Sequence, residues 1–379
     1  MLLNLTSDQE FLRDTTTKFL SNQASVAEIR RLRDDPTGFD TQYWQRGAAL
    51  GWTSLLVSEE LGGGSISGDG LIDLTLIAHE FGRHAAPGPL TPANVVAAAL
   101  SDNPSDDHSG LLAGLLTGTS VASWCYSEPD PRDRLGGVGL EVRIEGSHVV
   151  LNGCKRPVES VGGTTHLLVT GRTGSGLTQV VVPSDATDMD VRPMHSLDLT
   201  RRFYDITFQD LRLPKEAVVG EIGGARSQVE RQLQLALVIG TSESVGAMQI
   251  ALDMTIEWAF DRYSFGRPLA SYQELKHRFA DMKTWLEASH AVSDSAALAV
   301  ASRSPEADEL VSAAKAFVDD YGSELIQDCV QIHGGIGVTF EHDLHLYLRR
   351  HTMNRTLYGT AAEHRQRIAD ILERGDDAA

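Results

Sequence analysis

Asp261-Arg262-Tyr263-Ser264-Phe265-Gly266-Arg267-Pro268 closes one long apolar-periodic run, and Gln331-Ile332-His333-Gly334-Gly335-Ile336-Gly337 ends another in glycines. Upstream of the first block lies QLQLALVIGTSESVGAMQIALDMTIEWAFDR, with apolar residues at three- and four-residue spacing, the mark of a helix with a buried stripe. Between the two blocks come LASYQELKHRFADMKTWLEASHAVSDSAALAVA and ELVSAAKAFVDDYGSELIQDCVQIHG, of the same texture. Long helices joined by short turns bury one another side by side. Residues 226–379 are therefore expected to form a C-terminal four-helix bundle.

Ahead of the bundle the texture changes. Residues 121–225 break into short alternating, β-branched phrases divided by turns, such as HVVLNG, HLLVTG, TQVVVP and FYDITFQDLRLP, and are expected to form a middle β-domain, barrel or sandwich. Residues 1–120 return to helical spacing in LIDLTLIAHEFGR and PANVVAAAL, an N-terminal helical domain. The fold class is α+β. Glu59-Glu60-Leu61-Gly62-Gly63-Gly64 reads as a plain loop, because no strand–GxxxxGK[ST]–helix context surrounds its glycines.

The chain's 379 residues suggest two or three domains, and 41% apolar with 22% charged residues describes an ordinary globular protein. A formal charge of −19 argues against a nucleic-acid surface, though a few arginines can still hold a phosphate-bearing ligand. Cys125, Cys154 and Cys329 are too scattered for a zinc site or a disulfide framework. MLLNLTSDQEFLRD reads as an amphipathic helix and not a leader, no run of eighteen apolar residues suggests a membrane span, and a cytoplasmic location is expected.

At its two opening blocks, with Gln273 and Ala280-Asp281-Met282 between them, the chain resembles the acyl-CoA dehydrogenase family, whose members carry R-x-x-F-G…Q…ADM and Q-x-x-G-G-x-G in matching places. The likeness extends to Gly51-Trp52, the E-E-L-G-G loop and the phrases S-E-P, L-N-G and F-x-D-L-R-L-P, in the same order. The chemistry suits a dinucleotide flavin. Arg262 offers a planar fork of donors to a pyrophosphate, Ser264 a hydroxyl and Phe265 an apolar face. Gly334 and Gly335 permit close approach to main-chain N–H groups. The resemblance implies FAD as cofactor. It also implies that Arg262, Ser264, Phe265, Gln273, Gln331, Gly334 and Gly335 hold the FAD seated in a neighbouring subunit. Alone, Arg262 could serve as a helix cap and Gly334-Gly335 as a C-cap; together, at family spacing, they favour the cofactor reading.

Elsewhere the chain departs from the family. The flavin ring is normally flanked by a stretch like Y-C-x-T-E-P-x-A-G-S-D, which here reads Trp124-Cys125-Tyr126-Ser127-Glu128-Pro129-Asp130-Pro131-Arg132-Asp133-Arg134. The small A-G-S run has become Pro131, Arg132 and Asp133, and the aspartate repels a pyrophosphate. The family's W-I-T becomes Pro157-Val158-Glu159, so the stacking aromatic is gone and a carboxylate replaces a hydroxyl. A buried Glu159 costs several kcal/mol unless paired or protonated. The reaction also needs a carboxylate base. Its two usual seats in the family correspond to Tyr358, of Leu357-Tyr358-Gly359-Thr360, and Ala236. Glu243 lies about two turns beyond Ala236, ~10 Å along the same helix face; a relocated base and a wall or interface carboxylate are both open. Tyr358 is a poor base, since a phenol titrates near 10. His342, His345 and His351 read as surface or interface histidines, with no metal site expected.

Residues that would serve a neighbour's FAD are kept, while those serving the chain's own are lost. The resemblance thus implies a non-catalytic subunit beside a homologous catalytic acyl-CoA dehydrogenase subunit, as in α2β2 assemblies that act on steroid side-chain CoA esters. The FAD would be held mainly by that partner, the substrate would be an acyl-CoA, and an electron-transfer flavoprotein would accept the electrons. Two alternatives are a self-sufficient homotetramer using Glu243 as base and a purely structural or regulatory subunit. No catalytic residue is assigned.

Overall fold

A computed structural model describes residues 4–129 and 137–376. Pro131, Arg132 and Asp133, on which part of the departure from the family rests, lie outside the described residues. The chain begins with α1 (Ser7–Gln23), α2 (Val26–Arg31), α3 (Thr41–Ala49), α4 (Gly70–His84), α5 (Leu90–Asp102) and α6 (Asp106–Thr117). Then come β1 (Ala122–Cys125), β2 (Glu141–Glu145), β3 (His148–Glu159), β4 (His166–Thr173), β5 (Gly176–Pro183), β6 (Met189–Met194), β7 (Phe203–Pro214) and β8 (Val218–Val219). Helix α7 (Arg226–Asp261) leads into a hairpin of β9 (Tyr263–Ser264) and β10 (Arg267–Pro268). The chain continues through α8 (Gln273–Ala301), α9 (Ala307–His333), α10 (Leu344–Thr356) and α11 (Ala361–Asp376). The α+β class and the order helices, strands, helices are those read from the sequence. The last zone holds three long helices and two shorter ones.

Local chemistry sets several boundaries. Thr6 and Gln9 answer each other's backbone N–H groups in a capping box that starts α1, with Asp8 and Glu10 in the first turn complementing the helix dipole. The loop at Glu59–Leu61 is closed by Gly62 at φ 85°, a structural role for that glycine.

By packing the chain divides into two compact units, one of Arg30–Leu74 and Pro87–Ala236, the other of Met1–Ile29, Thr75–Ala86 and Leu237–Ala379. In the first, the sheet runs β6-β7-β3-β2-β4-β5-β8, with β1 parallel to β4. Alternation places Val149 and Leu151, Leu167 and Val169, Val180 and Val182, Ile206 and Phe208 in one buried cluster. A chain of amides crosses this unit: Asn103 donates to Gln228, Gln228 to Gln179, and Gln179 to both Gln232 and Thr170. Trp52 stands in an aromatic cluster with Tyr43 and Trp44.

In the second unit α9 packs against α8, α10 and α11. Helix α7 is long and apolar enough to cross a membrane by length and composition, but 83% of its apolar window is buried inside the protein, which identifies a core helix. A simple count of uninterrupted apolar residues overlooks it because small polar residues break the run. Its crossing with α4 depends on two glycines. A Cβ on Gly82 would strike the backbone carbonyl of Glu243, and one on Gly246 would strike the carbonyl of His79. Neither backbone can yield without parting the helices. Gly82→Ala and Gly246→Ala are each expected to lose about 1–3 kcal/mol of stability through overpacking, read as a lower midpoint in urea denaturation.

Candidate functional site

Helix α7 is followed by Arg262, whose backbone N–H still bonds the Trp258 carbonyl and whose carbonyl accepts from Leu269 N–H at 2.8 Å. The exposed guanidinium lies 5.9 Å from the Trp258 ring centroid and makes no hydrogen bond or ion pair among the described residues. Trp258 in turn stacks on His333, centroids 5.3 Å apart, at the last residue of α9. This aromatic contact brings the two opening blocks of the sequence together.

Gly334 follows at φ 67° and ψ −142°, a conformation a side chain resists, and its N–H closes α9 by bonding the Gln331 carbonyl. That N–H is therefore occupied and not free for a ligand as the sequence suggested. A Cβ on Gly334 or Gly335 would meet nothing within 4 Å, so the space before this backbone is open. Ser264 is half-buried in β9, Phe265 is 98% exposed, and Gln273 and Gln331 are exposed on α8 and α9. The His333 Nδ1 donates to the Cys329 carbonyl at 2.8 Å, which leaves Nε2 as an acceptor, and burial holds the imidazole below its usual pKa. That Nε2 and the Trp258 Nε1–H are buried without a partner among the described residues. The exposed guanidinium and the open glycines suit an anionic group against this face.

The strand that carries Pro157-Val158-Glu159 has the opposite character. Arg201 Nε and Nη2 donate to the two Glu159 carboxylate oxygens at 2.7 and 2.6 Å, with 6% and 7% of the side chains exposed. Each oxygen accepts a bond from an internal cation, and no hydroxyl donor stands at this position. The burial cost expected from sequence is met by pairing. In the sequence Arg201 is marked only by its place two residues before Phe203, the strand partner of Glu159. Nearby, Lys155 Nζ is fully buried and bonds Glu128 at 2.7 Å and the Tyr126 carbonyl at 2.9 Å. Glu128 also accepts from the N–H groups of Gly139 and Leu140.

Glu243 is equally committed. Its Oε1 accepts from Arg350 Nη1 at 2.6 Å and its Oε2 from Asn354 Nδ2 at 2.9 Å. Arg350, 1% exposed, also donates to the carbonyls of Ala85 and Ala86. Glu243 is thus held in a buried ion pair with Arg350, the wall-carboxylate role that the sequence leaves open beside that of a relocated base. Tyr358 is half-buried at φ 58°, and its carbonyl accepts from His364 Nε2. The histidines need correction too: His345 and His351 are buried, and only His342 is part-exposed. His351 Nε2 lies 3.2 Å from the Asp319 carbonyl. Among the described residues no cluster of His, Cys, Asp or Glu could hold a metal.

Two family models match this chain: acyl-CoA dehydrogenase, N-terminal domain, over residues 6–109, and acyl-CoA dehydrogenase, C-terminal domain, over residues 226–373. The chain is 27% identical over 344 residues to acyl-CoA dehydrogenase IpdE2 of Mycobacterium tuberculosis, covering 90% of each protein. It is 25% identical over 387 residues to the mitochondrial isobutyryl-CoA dehydrogenase of Dictyostelium discoideum, covering 99% of this chain and 91% of that one. A solved variant of the steroid ACAD Tcur3481-Tcur3483 superposes with TM-score 0.88 at 24% identity, over 98% of this chain and 99% of the other. Butyryl-CoA dehydrogenase from Megasphaera elsdenii does so with TM-score 0.88 at 21% identity, over 98% and 100%.

Two measurements probe the buried charges. Arg350→Met strands the Glu243 carboxylate and should lose about 3–5 kcal/mol in urea denaturation, much of it recovered on adding Glu243→Gln. Burial pushes the His351 imidazole from 6.5 down to about 4. A histidine kept neutral in the folded chain contributes its full stability above pH 6.5 and loses it as the pH falls towards about 4. The melting temperature should drop across that window, and less steeply in His351→Gln.

Proposed function

The chain belongs to the acyl-CoA dehydrogenase family, an FAD-dependent family of oxidoreductases, and from that premise we propose that it is the non-catalytic partner of a homologous subunit. FAD, when bound in such an assembly, supplies the oxidising capacity for α,β-desaturation of an acyl-CoA thioester. This chain's part is to complete the partner's site: Arg262 holds the pyrophosphate, Ser264 adds a hydroxyl, and Phe265 covers the adenosine. Gln273, Gln331 and the backbone at Gly334 and Gly335 line the remainder. An electron-transfer flavoprotein serves as acceptor.

The observation that carries the proposal is a contrast in commitment. Among the described residues the Arg262 guanidinium is exposed and makes no hydrogen bond or ion pair, and the space before Gly334 and Gly335 is open, whereas Glu159, where the family places a hydroxyl, is paired with Arg201. The catalytic seats support the same reading, since they hold Ala236 and Tyr358 while Glu243 is bound to Arg350. The likeness to a steroid ACAD whose name pairs two polypeptides supports a two-subunit enzyme acting on a steroid-derived acyl-CoA.

Purified alone, the chain is expected to carry no flavin; one tightly held FAD per chain would end the proposal. In the assembled enzyme, Arg262→Ala removes charge-assisted bonds of about 1.5–3 kcal/mol, so FAD should be retained roughly 10–100-fold less tightly. Equilibrium dialysis with absorbance detection reads this directly. Undiminished flavin occupancy would favour a purely structural subunit.

A further inference from the structure

The hairpin beyond Arg262 is too small to hold its own shape. It has two cross-strand pairs, Ser264 with Arg267 and Tyr263 with Pro268, joined by Phe265 and Gly266 at φ 50° and φ 79°. Such a two-residue turn favours glycine or asparagine, and a phenylalanine at positive φ is strained. Isolated two-stranded hairpins are at best marginal in water, and with Phe265 almost wholly in solvent the turn gains nothing from burial.

What holds it lies seven residues on. The Tyr272 hydroxyl donates to the Ser264 carbonyl at 2.7 Å, across the base of the turn. The same ring carries the Arg267 guanidinium 3.9 Å from its centroid, a contact from the opposite strand. Tyr272 is itself anchored where α8 begins: its N–H bonds the Leu269 carbonyl and its own carbonyl accepts from Lys276 N–H. One side chain therefore ties both strands of the hairpin to a long helix.

We infer that Tyr272 is a positioning residue, pre-organising the Tyr263–Pro268 hairpin to meet the nucleotide end of the partner's cofactor. The inference rests on the partner-subunit reading above. A hairpin ordered before docking avoids losing conformational freedom on association, so flavin retention in the assembled enzyme depends on a phenol that touches neither flavin nor substrate.

Tyr272→Phe is the test, since it keeps the ring beneath Arg267 and deletes only the hydroxyl. Chymotrypsin cleavage after Phe265 in the isolated chain should quicken by about three- to tenfold, as befits one lost hydrogen bond and cleavage through a locally open state. The FAD dissociation constant of the assembled enzyme should rise by a similar factor, with a matching change in the visible circular dichroism of the flavin. The chain's melting temperature should stay unchanged, as a merely structural role would not allow. An unchanged cleavage rate overturns the clamp. Faster cleavage with unaltered FAD affinity and flavin spectrum overturns the positioning role. Failure of the partner-subunit reading shows separately, as full flavin occupancy in Arg262→Ala.

Discussion

A carboxylate taken out of water must be paired with a cation or hydrogen-bonded, and cation pairing recurs in both compact units of this protein. Glu159 meets Arg201 and Glu128 meets Lys155 in one; Glu243 meets Arg350 and Asp319 meets Lys315 in the other. Each pairing also commits both members to an internal contact. Glu243 stands on the central helix, but its oxygens are taken up by a guanidinium and an amide. Glu159 occupies a ligand-facing position in the family pattern, yet it faces inwards to a charge supplied by its own chain.

The contrast with the end of α7 is one of solvation. Among the described residues Arg262 keeps its donors in water, its only close aromatic contact being Trp258. A guanidinium left free can bind an anion without first breaking an internal bond, whereas Arg201 would have to abandon a buried carboxylate to do the same. Two arginines of identical chemistry thus have opposite capacities.

Much of this architecture is legible in the sequence because it depends on local periodicity. The alternation of HVVLNG and FYDITFQDLRLP gives strands, and the spacing in α7 gives a helix with an apolar stripe. The two cofactor-family blocks could likewise be placed at helix ends from their glycines. The partners of buried charges are less legible. Arg201 and Glu159 are 42 positions apart, and Arg350 and Glu243 are 107 apart, so pairing is set by how strands and helices meet and leaves no local trace. The same holds for His345 and His351, whose burial follows from packing, and for Gly82 and Gly246, which look like ordinary helix glycines until the helices cross. Tyr272 escaped notice because its role lies in a hydroxyl reaching back to a main-chain carbonyl.

The hairpin crest raises a matter of cellular economy. Phe265 is 98% exposed, and Phe260, Tyr263 and Val338 on the same unit are 65%, 64% and 76% exposed. Apolar surface left uncovered after folding is what chaperones recognise and what drives clumping at high concentration. Synthesis matched in time and amount to that of a covering polypeptide would shorten the interval during which this rim is bare.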